Sequence, residues 1–168
     1  RPRKSLGDTG DPLMRIRVLA VGTRMSGWVT AGVDEYVRRL PRDFSVTWQE
    51  IPPAKRQGDS PEKLMAKEAQ AITRHLKTDE RIVALDVAGS VVSTEDMAAH
   101  ISNWQMTGQS VAILIGGPDG LDPSLLKRAT AKWSFGRITL PHPLVRVVLA
   151  EQLYRAWSIN SNHPYHRA

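Results

Sequence analysis

The sequence has 168 residues, no cysteine, and 23 lysines and arginines against 17 acidic residues, giving a formal net charge of +6. This length suits one globular domain, and the lack of cysteine excludes disulfides, thiolate metal sites and cysteine nucleophiles and is typical of the reducing cytoplasm. No apolar run reaches the ~20 residues of a membrane span, and the positive charge favours an anionic partner such as nucleic acid.

The first 13 residues differ from the rest of the chain. They lack hydrophobic periodicity, and the first strand pattern begins just after Met14. They are also too short and too polar for a secretory signal. We interpret residues 1–13 as an upstream extension or a cloning remnant, and residues 14–168 as the domain.

Apolar strand patterns alternate with amphipathic segments along the domain. We predict strands over 15–21, 44–51, 81–87, 110–115 and 138–140, with the third strand ending at Gly89. Helix starts are predicted at Ser60, Ser93 and Asp122, which are residue types that cap helix N-termini. Five alternations predict an α/β fold, with a parallel sheet covered by helices on its faces.

Loops that follow parallel strands gather at one edge of the sheet, where ligands bind in open α/β folds. We expect this edge to carry the basic loop residues, the glycine turn and a histidine between two prolines: Arg24, Lys55, Arg56, Asp86, Gly116, Gly117, Gly120 and His142. The turn sequence GGPDG is neither GxGxxG nor a phosphate-binding GxxxxGK[ST] loop. By itself it is also compatible with a plain strand-to-helix turn.

The last helix is predicted over 144–159 and is apolar on more than one face. Its own chain cannot easily cover such a terminal helix, so we predict a homodimer; a helix wedged centrally in a monomer is the alternative. The polar tail after it is expected to be disordered by default. Tyr165, His166 and Arg167 are nevertheless the residue types that contact nucleic-acid bases and phosphates.

Three separated motifs carry a family resemblance. They are, in order, ILIGGPDGL, WSFGRITLPHPLVRVVLAEQLYRAWSI and NHPYH. Together with LAVGTRM, EYVRRLP and IPPAKR, they closely resemble the RlmH-type ribosomal RNA methyltransferases, small members of the SPOUT (trefoil-knotted) class. The resemblance covers residues 14–167 and leaves out only the first 13 residues and Ala168.

The resemblance implies a single α/β domain whose C-terminal part is threaded into a trefoil knot, an exception to the rule that chains avoid knots. It also implies a homodimeric enzyme that uses S-adenosylmethionine to methylate N3 of a pseudouridine in 23S ribosomal RNA. The cofactor would contact Leu85, Gly116, Gly117, Gly136, Arg137, Ile138, Thr139, Leu140 and Pro141. One subunit's tail would lie near the other subunit's pocket.

This chemistry needs an aligned nucleophile, methyl group and sulfur, and a group that assists loss of the N3 proton. His142 is the first candidate base because imidazole titrates near neutrality, and a structural role is its alternative. Tyr165 and His166 are comparable candidates if the tail closes over the RNA base. Arg155 either offsets phosphate or uridine charge or pairs with Glu151 one helical turn earlier.

The remaining histidines suggest no further site. His75 and His100 lie on polar helix faces and are interpreted as solvated, and no cluster has metal-ligand spacing, so we expect no metal. RNA affinity would come from basic loops and target shape, which favours the assembled ribosome as substrate. A noncatalytic ribosome- or RNA-binding protein of the same fold is the alternative. A dinucleotide enzyme is disfavoured, because only Gly22 follows the first strand.

Overall fold

The computed structural model describes residues 12–167. The predicted extension over residues 1–13 therefore falls almost entirely outside the described residues. Strands and helices alternate as β1 (Met14–Val21), α1 (Gly27–Val37), β2 (Phe44–Ile51), α2 (Pro61–His75), β3 (Glu80–Val91), α3 (Thr94–Thr107), β4 (Ser110–Ile115), α4 (Pro123–Arg128), β5 (Ala131–Ser134) and α5 (His142–Asn160). A short 3₁₀ helix, Pro164–Arg167, follows α5.

The five strands form one parallel sheet in the order β2-β1-β4-β3-β5. The predicted α/β class and parallel sheet are therefore confirmed. The chain leaves β1 towards β2 on one side of the sheet, and leaves β4 towards β5 on the other. Such a reversal opens a crevice at the carboxyl ends of the two adjacent strands, which is where open α/β sheets bind ligands.

Helices cover both faces of the sheet and create two separate cores. On one face, sheet residues pack against residues of α3 and α5 such as Met97, Ile101 and Leu153. On the other face, they pack against residues of α2 and α4 such as Ile72 and Leu125. Because both faces are buried, the central strand β4 is a continuous apolar run rather than an alternating one.

The helix α5 lies between α1 and α3, with which it makes most of its helix contacts. Leu149 and Leu153 are fully buried, whereas Leu144 and Val148 are only partly covered. Within one subunit, α5 is therefore the centrally wedged helix that was the alternative to a helix covered by a second subunit. The homodimer stays a prediction. Within residues 12–167, none of the helices has the length and apolar character that a membrane span requires.

The predicted helix starts are confirmed in atomic detail. The Ser60 hydroxyl accepts a hydrogen bond from a backbone N–H in the first turn of α2. Ser93 and Asp96 form the predicted capping box, in which each side chain accepts from the other residue's backbone. Asp122 accepts from the backbone at the start of α4. These caps satisfy N–H groups that have no partner within their helices.

The predicted last strand over 138–140 is wrong. The strand is Ala131–Ser134, and residues 135–141 form the loop before α5. Trp133 and Ser134 pair with β3 and are buried, which fixes the strand at these residues. Gly136 then has a φ of +119°, which ends the strand, and Ile138 is 80% exposed.

The predicted end of β3 at Gly89 is also wrong, because the strand continues to Val91. The β3–β5 register shifts between Leu85 and Ser90, so the extra residues are taken up by a bulge. A Cβ on Gly89 would lie 2.7 Å from the Lys132 carbonyl oxygen. Gly89 thus lets β5 approach closely instead of ending the strand, and Asp86 belongs to β3 rather than to a following loop.

Candidate active site

The glycine turn after β4 is closed so tightly that position 116 has no room for a side chain. A Cβ on Gly116 would lie 2.6 Å from the carbonyl carbon of Gly120, whose own φ is +88°. The Gly120 N–H donates to the Gly117 carbonyl at 2.9 Å. Glycine is needed here because a β-carbon would collide with the backbone of the turn itself. The turn therefore presents main-chain atoms at the carboxyl end of β4.

The first residue of α5, His142, contacts this turn directly. Its Nδ1 lies 3.0 Å from the carbonyl oxygen of Gly116. The loop that precedes α5 and carries Leu140 is therefore joined to the glycine turn at the same sheet edge. The sequence motifs GGPDG and LPHP, which are distant in the chain, meet as expected from parallel strands.

A buried arginine in the next turn of α5 extends this contact to two more strands. The Arg146 side chain is only 4% exposed. Its Nε donates to His142 Nε2 at 2.9 Å, its Nη1 lies 2.7 Å from Glu50 Oε2, and its Nη2 donates to the Gly22 carbonyl at 3.0 Å. Glu50 lies at the end of β2, and Gly22 directly follows β1. One guanidinium thus holds the carboxyl ends of β1 and β2 and, through His142, that of β4.

These contacts fix the protonation state of His142. Its Nε2 accepts from Arg146, so its Nδ1 carries the proton and donates to Gly116. Burial and then the Arg146 charge lower the pKa of His142, and the Gly116 hydrogen bond offsets part of that effect. The imidazole is neutral near pH 7 and both ring nitrogens are occupied. In this arrangement His142 positions the turn and has no free lone pair with which to take a proton.

The predicted cofactor segments lie at one level of three neighbouring strands, near the carboxyl ends of β4 and β5. Leu85 pairs with Ile115 on one side and with Trp133 on the other. The glycine turn follows Ile115, and the loop over 135–141 follows the strand that contains Trp133. Leu85, Gly116, Gly117 and the loop residues Gly136, Arg137, Ile138, Thr139, Leu140 and Pro141 thus share the carboxyl edge. The structure brings this predicted set together.

A buried carboxylate lies against the glycine turn from the opposite face of the sheet. Glu68 of α2 is 7% exposed. A Cβ on Gly117 would be 3.1 Å from Glu68 Oε1, so the carboxylate occupies the side of the turn that glycine leaves open. Its Oε2 accepts a hydrogen bond from the Ala54 N–H at 3.0 Å. Glu68 therefore links the loop after β2 to the turn after β4.

Of the basic loop residues predicted at this edge, Arg56 contacts the glycine turn. Arg56 Nη2 lies 2.7 Å from Asp119 Oδ2, which joins the loop after β2 to the glycine turn, and Lys55 is exposed beside it. Arg24, in the loop after β1, is exposed and has a φ of +56°. A positive φ is unusual for a residue other than glycine and is found preferentially at functional sites.

The tail residues form a second cluster at the other end of α5. The Tyr165 hydroxyl donates to Glu151 Oε1 at 3.1 Å, and the Arg155 guanidinium binds the same carboxylate, with Nη2 2.6 Å from Oε1. Ser158 Oγ lies 3.2 Å from His166 Nδ1. Of the two roles left open for Arg155, the pairing with Glu151 is present in the structure. The expected disorder of the tail is wrong, because these contacts hold it on α5 as a 3₁₀ helix.

Aromatic packing explains why this polar tail is ordered. The Tyr165 ring meets that of Tyr154 edge to face, with centroids 4.6 Å apart, and Tyr154 stacks on Trp157 at 5.6 Å. The Arg155 guanidinium lies 4.9 Å from the Tyr165 ring centre, within cation–π range. Burial and the Glu151 charge raise the pKa of Tyr165 to about 12. The phenol is therefore protonated at neutral pH and acts as a hydrogen-bond donor.

The predicted catalytic residues do not come together within one chain. His142 begins α5, whereas Arg155 lies near its end, so the two are about 20 Å apart along the helix axis at ~1.5 Å per residue. Tyr165 and His166 pack beside Arg155. A cleft of ≈ 520 Å³ at this end is lined by Thr94, Glu95, Gln152, Arg155, Ile159 and His166. Within one chain the predicted catalytic residues therefore form two separate clusters, one at each end of α5.

Sequence reasoning missed the residues that organise the carboxyl edge. Arg146 interrupts the apolar run LVRVVL, and an arginine within a buried stripe requires a buried partner. Glu68 directly precedes the buried Ala69, so a charged residue beside a buried helix position is a similar, weaker signal of a buried polar contact. The interpretation of His100 as merely solvated is incomplete, since its ring stacks at 5.9 Å on Trp104 and packs at 5.8 Å against Trp133. Among the described residues, no three His, Cys, Asp or Glu side chains are grouped to hold a metal.

Comparison with known proteins identifies the family. Residues 14–166 match the family model described as "Predicted SPOUT methyltransferase". This chain belongs to the SPOUT methyltransferase family. It is 55% identical to the "Ribosomal RNA large subunit methyltransferase H" of Chromohalobacter salexigens and 50% identical to the protein of the same name from Hahella chejuensis. Both matches cover 92% of this chain, and 100% and 99% of the respective relative.

A solved structure shares the fold at much lower identity. It is that of "a probable methylase family protein from Haemophilus influenzae Rd KW20", with a TM-score of 0.54 and 14% identity. The match covers 91% of this chain and 70% of the other. At this identity the likeness concerns the fold alone.

Proposed function

We propose that this protein is an S-adenosylmethionine-dependent methyltransferase that methylates N3 of a pseudouridine in 23S ribosomal RNA. The observation that carries the proposal is the 50–55% identity, over essentially the whole length, to relatives named as large-subunit ribosomal RNA methyltransferases. The net charge of +6 is consistent with an RNA substrate. In this proposal the substrate is folded RNA on the assembled ribosome in the cytoplasm, and the exposed basic residues of the loops after β1 and β2 would contact its phosphates.

The residues at the carboxyl edge fit S-adenosylmethionine. The Gly116 turn offers main-chain donors and acceptors without side chains, and the loop over 136–141 offers more of them from the next strand end. Glu68 adds a buried negative charge beside the turn, which suits a positively charged ligand. When bound, the cofactor would supply a methyl carbon made electrophilic by its sulfonium. His142 and Arg146 would hold the turn that binds it.

The tail residues would serve the RNA. The Tyr165 phenol keeps its proton and donates it to Glu151, so it would not take a proton from the target base, and its oxygen would accept a hydrogen bond from that base. The fixed charge of Arg155 would stabilise the anion that forms as N3 loses its proton. His166 is the tail group that would receive this proton, because both ring nitrogens of His142 are occupied.

The carboxyl edge and the tail cluster would be two half-sites that meet in a homodimer. Since about 20 Å separates them along one α5, a second subunit would have to bring its tail over the first subunit's cofactor edge. The partly covered face of α5, which carries Leu144 and Val148, would form the contact. In this proposal the segment that follows β5 is threaded into the trefoil knot implied by the resemblance, which would hold the loop over 136–141 against the glycine turn.

Mass mapping of 23S ribosomal RNA tests the function. Ribosomes from cells that lack the gene are incubated with the protein and S-adenosylmethionine, and the RNA is digested and analysed. We expect one pseudouridine to gain 14 mass units on assembled ribosomes and little reaction on naked transcript. Equal turnover on both would contradict the ribosome as substrate. If calorimetry shows no heat with S-adenosylmethionine, the protein is a binding module and not an enzyme.

Mixed dimers test the shared site. One chain carries Gly116→Ala, which damages the cofactor edge, and the other ends before Pro164, which removes the 3₁₀ helix. If each site combines one edge with the partner's tail, co-expressed chains show, at limiting S-adenosylmethionine, more activity than either variant alone. If mixing restores nothing although mixed dimers form, each site belongs to a single chain.

A further inference from the structure

The carboxylate of Glu68 has an unusual environment. The residue is only 7% exposed to solvent. Its neighbour Ala69 and the nearby Ile72 belong to the apolar core beneath the sheet. Burying a carboxylate without a cation is costly, because the interior replaces its hydration poorly. A buried carboxylate therefore needs an opposite charge nearby, either from the protein or from a bound ligand.

The described residues supply no cation for this carboxylate. Ion pairs within 4.0 Å, over residues 12–167, involve the acidic residues Glu35, Glu50, Asp59, Glu80, Asp119 and Glu151. Glu68 belongs to none of them. The neutral Ala54 N–H donates a hydrogen bond to its Oε2. The basic residue of that loop closest to the turn, Arg56, is bound to Asp119 instead.

The second oxygen of Glu68 lies against the glycine turn that is proposed to bind the ligand. Oε1 would be 3.1 Å from a Cβ on Gly117, so the carboxylate packs directly on the main chain of the turn at the position that glycine leaves open. Val21 Cγ1 lines the same position at 3.2 Å. An apolar, water-poor surrounding weakens screening, and a charge interaction there is stronger than at the surface.

We propose that Glu68 is the counter-charge for the cationic methyl donor and makes this site prefer the sulfonium over the neutral thioether product. The inference rests on the proposed function, because it requires S-adenosylmethionine to bind at the glycine turn. Donor and product differ by one methyl group and one positive charge. A buried carboxylate beside the turn therefore favours loading of the donor and release of the product.

Calorimetric titration of the full chain tests the inference with three ligands. S-adenosylmethionine carries its charge on the sulfonium, sinefungin carries it on an amine in place of the methyl group, and S-adenosylhomocysteine is neutral there. We expect the wild-type protein to bind both cations about tenfold more tightly than the neutral product, as a partly buried charge pair predicts. Product affinity equal to that of both cations would overturn the inference without any variant.

The substitution Glu68→Gln removes the charge but keeps an oxygen that accepts from the Ala54 N–H. We expect it to weaken both cations about tenfold and S-adenosylhomocysteine less than about twofold. Glu62→Gln, at an exposed position of the same helix, should change none of the three affinities. Equal weakening of all three ligands would mean that Glu68 merely holds the loop, and the inference would be wrong. If the wild-type protein binds none of them, the proposed function itself fails.

Discussion

At the amino end of α5 a buried guanidinium and an imidazole hold main-chain carbonyls, whereas at its carboxyl end stacked aromatic rings hold an arginine–carboxylate pair. Arg146 is almost fully enclosed, and each of its contacts ends on a strand terminus. Glu151 and Arg155 are 17% and 28% exposed, and their partners lie on one helix and a short tail. The first region fixes backbone geometry, and the second leaves its charged side chains partly exposed.

This difference fits the two tasks of a methyltransferase. A cofactor held by main-chain atoms needs a backbone that does not move, and buried, fully bonded polar groups provide such a backbone. An RNA base that enters from outside needs charged and aromatic groups near the surface. Changes at the amino end should therefore affect folding and cofactor affinity, and changes at the tail should affect turnover.

The largest effect is expected from Arg146→Met. The substitution leaves the Gly22 carbonyl and His142 Nε2 without their donor and breaks the link between strand ends. We expect a loss of about 3 kcal/mol in the free energy of unfolding, measured by urea denaturation. Arg128→Met, at an exposed position of α4, is the control and should change stability by less than about 0.5 kcal/mol. A similar loss in both variants would contradict the role of the network.

The next largest effect is expected from Gly116→Ala. Its β-carbon would collide with the backbone of Gly120 at 2.6 Å, so the turn must change shape. We expect affinity for S-adenosylmethionine to fall about 30-fold, equivalent to about 2 kcal/mol of strain. Gly27→Ala is the matched control, because nothing lies within 4 Å of its Cβ position. Unchanged cofactor affinity in Gly116→Ala would place the cofactor away from this turn.

A smaller effect, on turnover alone, is expected from Tyr165→Phe. The ring and its packing on Tyr154 remain, but the hydrogen bond to Glu151 is lost. We expect kcat on ribosomes to fall about tenfold, as for loss of one positioned polar group, with cofactor affinity unchanged. Tyr36→Phe, whose ring also packs on Tyr154, is the control and should retain kcat. A parallel fall in cofactor affinity would show that the tail supports the cofactor instead.

The smallest effect is expected from the titration of His142. Its pKa is lowered in the folded protein, chiefly by burial, so below the ordinary value of ~6.5 the unfolded chain binds the proton first. His142 therefore contributes stability that is complete above about pH 6.5 and is lost as the pH falls towards its folded-state pKa. Thermal unfolding from pH 7.5 to 5 should show a steeper fall in Tm for the wild type than for His142→Gln. Parallel curves would mean that His142 titrates freely.

The sequence by itself determined the alternation of elements and most of their limits. Ser60, Ser93 and Asp122 were sufficient to place helix starts, because caps depend on residues a few positions apart. The apolar run of β4 and its glycine ending were equally local signals. Because parallel strands end at one edge of the sheet, the sequence also predicted that the glycine turn meets the loop before α5.

Only the tertiary structure decided the last strand, the tail and the polar contacts. Ile138 to Leu140 looks like a strand, but Trp133 supplies the buried side chain that pairs with β3, and pairing is a non-local choice. The ordered tail depends on rings that lie on α5, and the separation of His142 from Arg155 depends on the helix that joins them. Arg146 and Glu68 acquire their roles from partners on other strands and loops, and sequence spacing does not encode contacts between residues far apart in the chain.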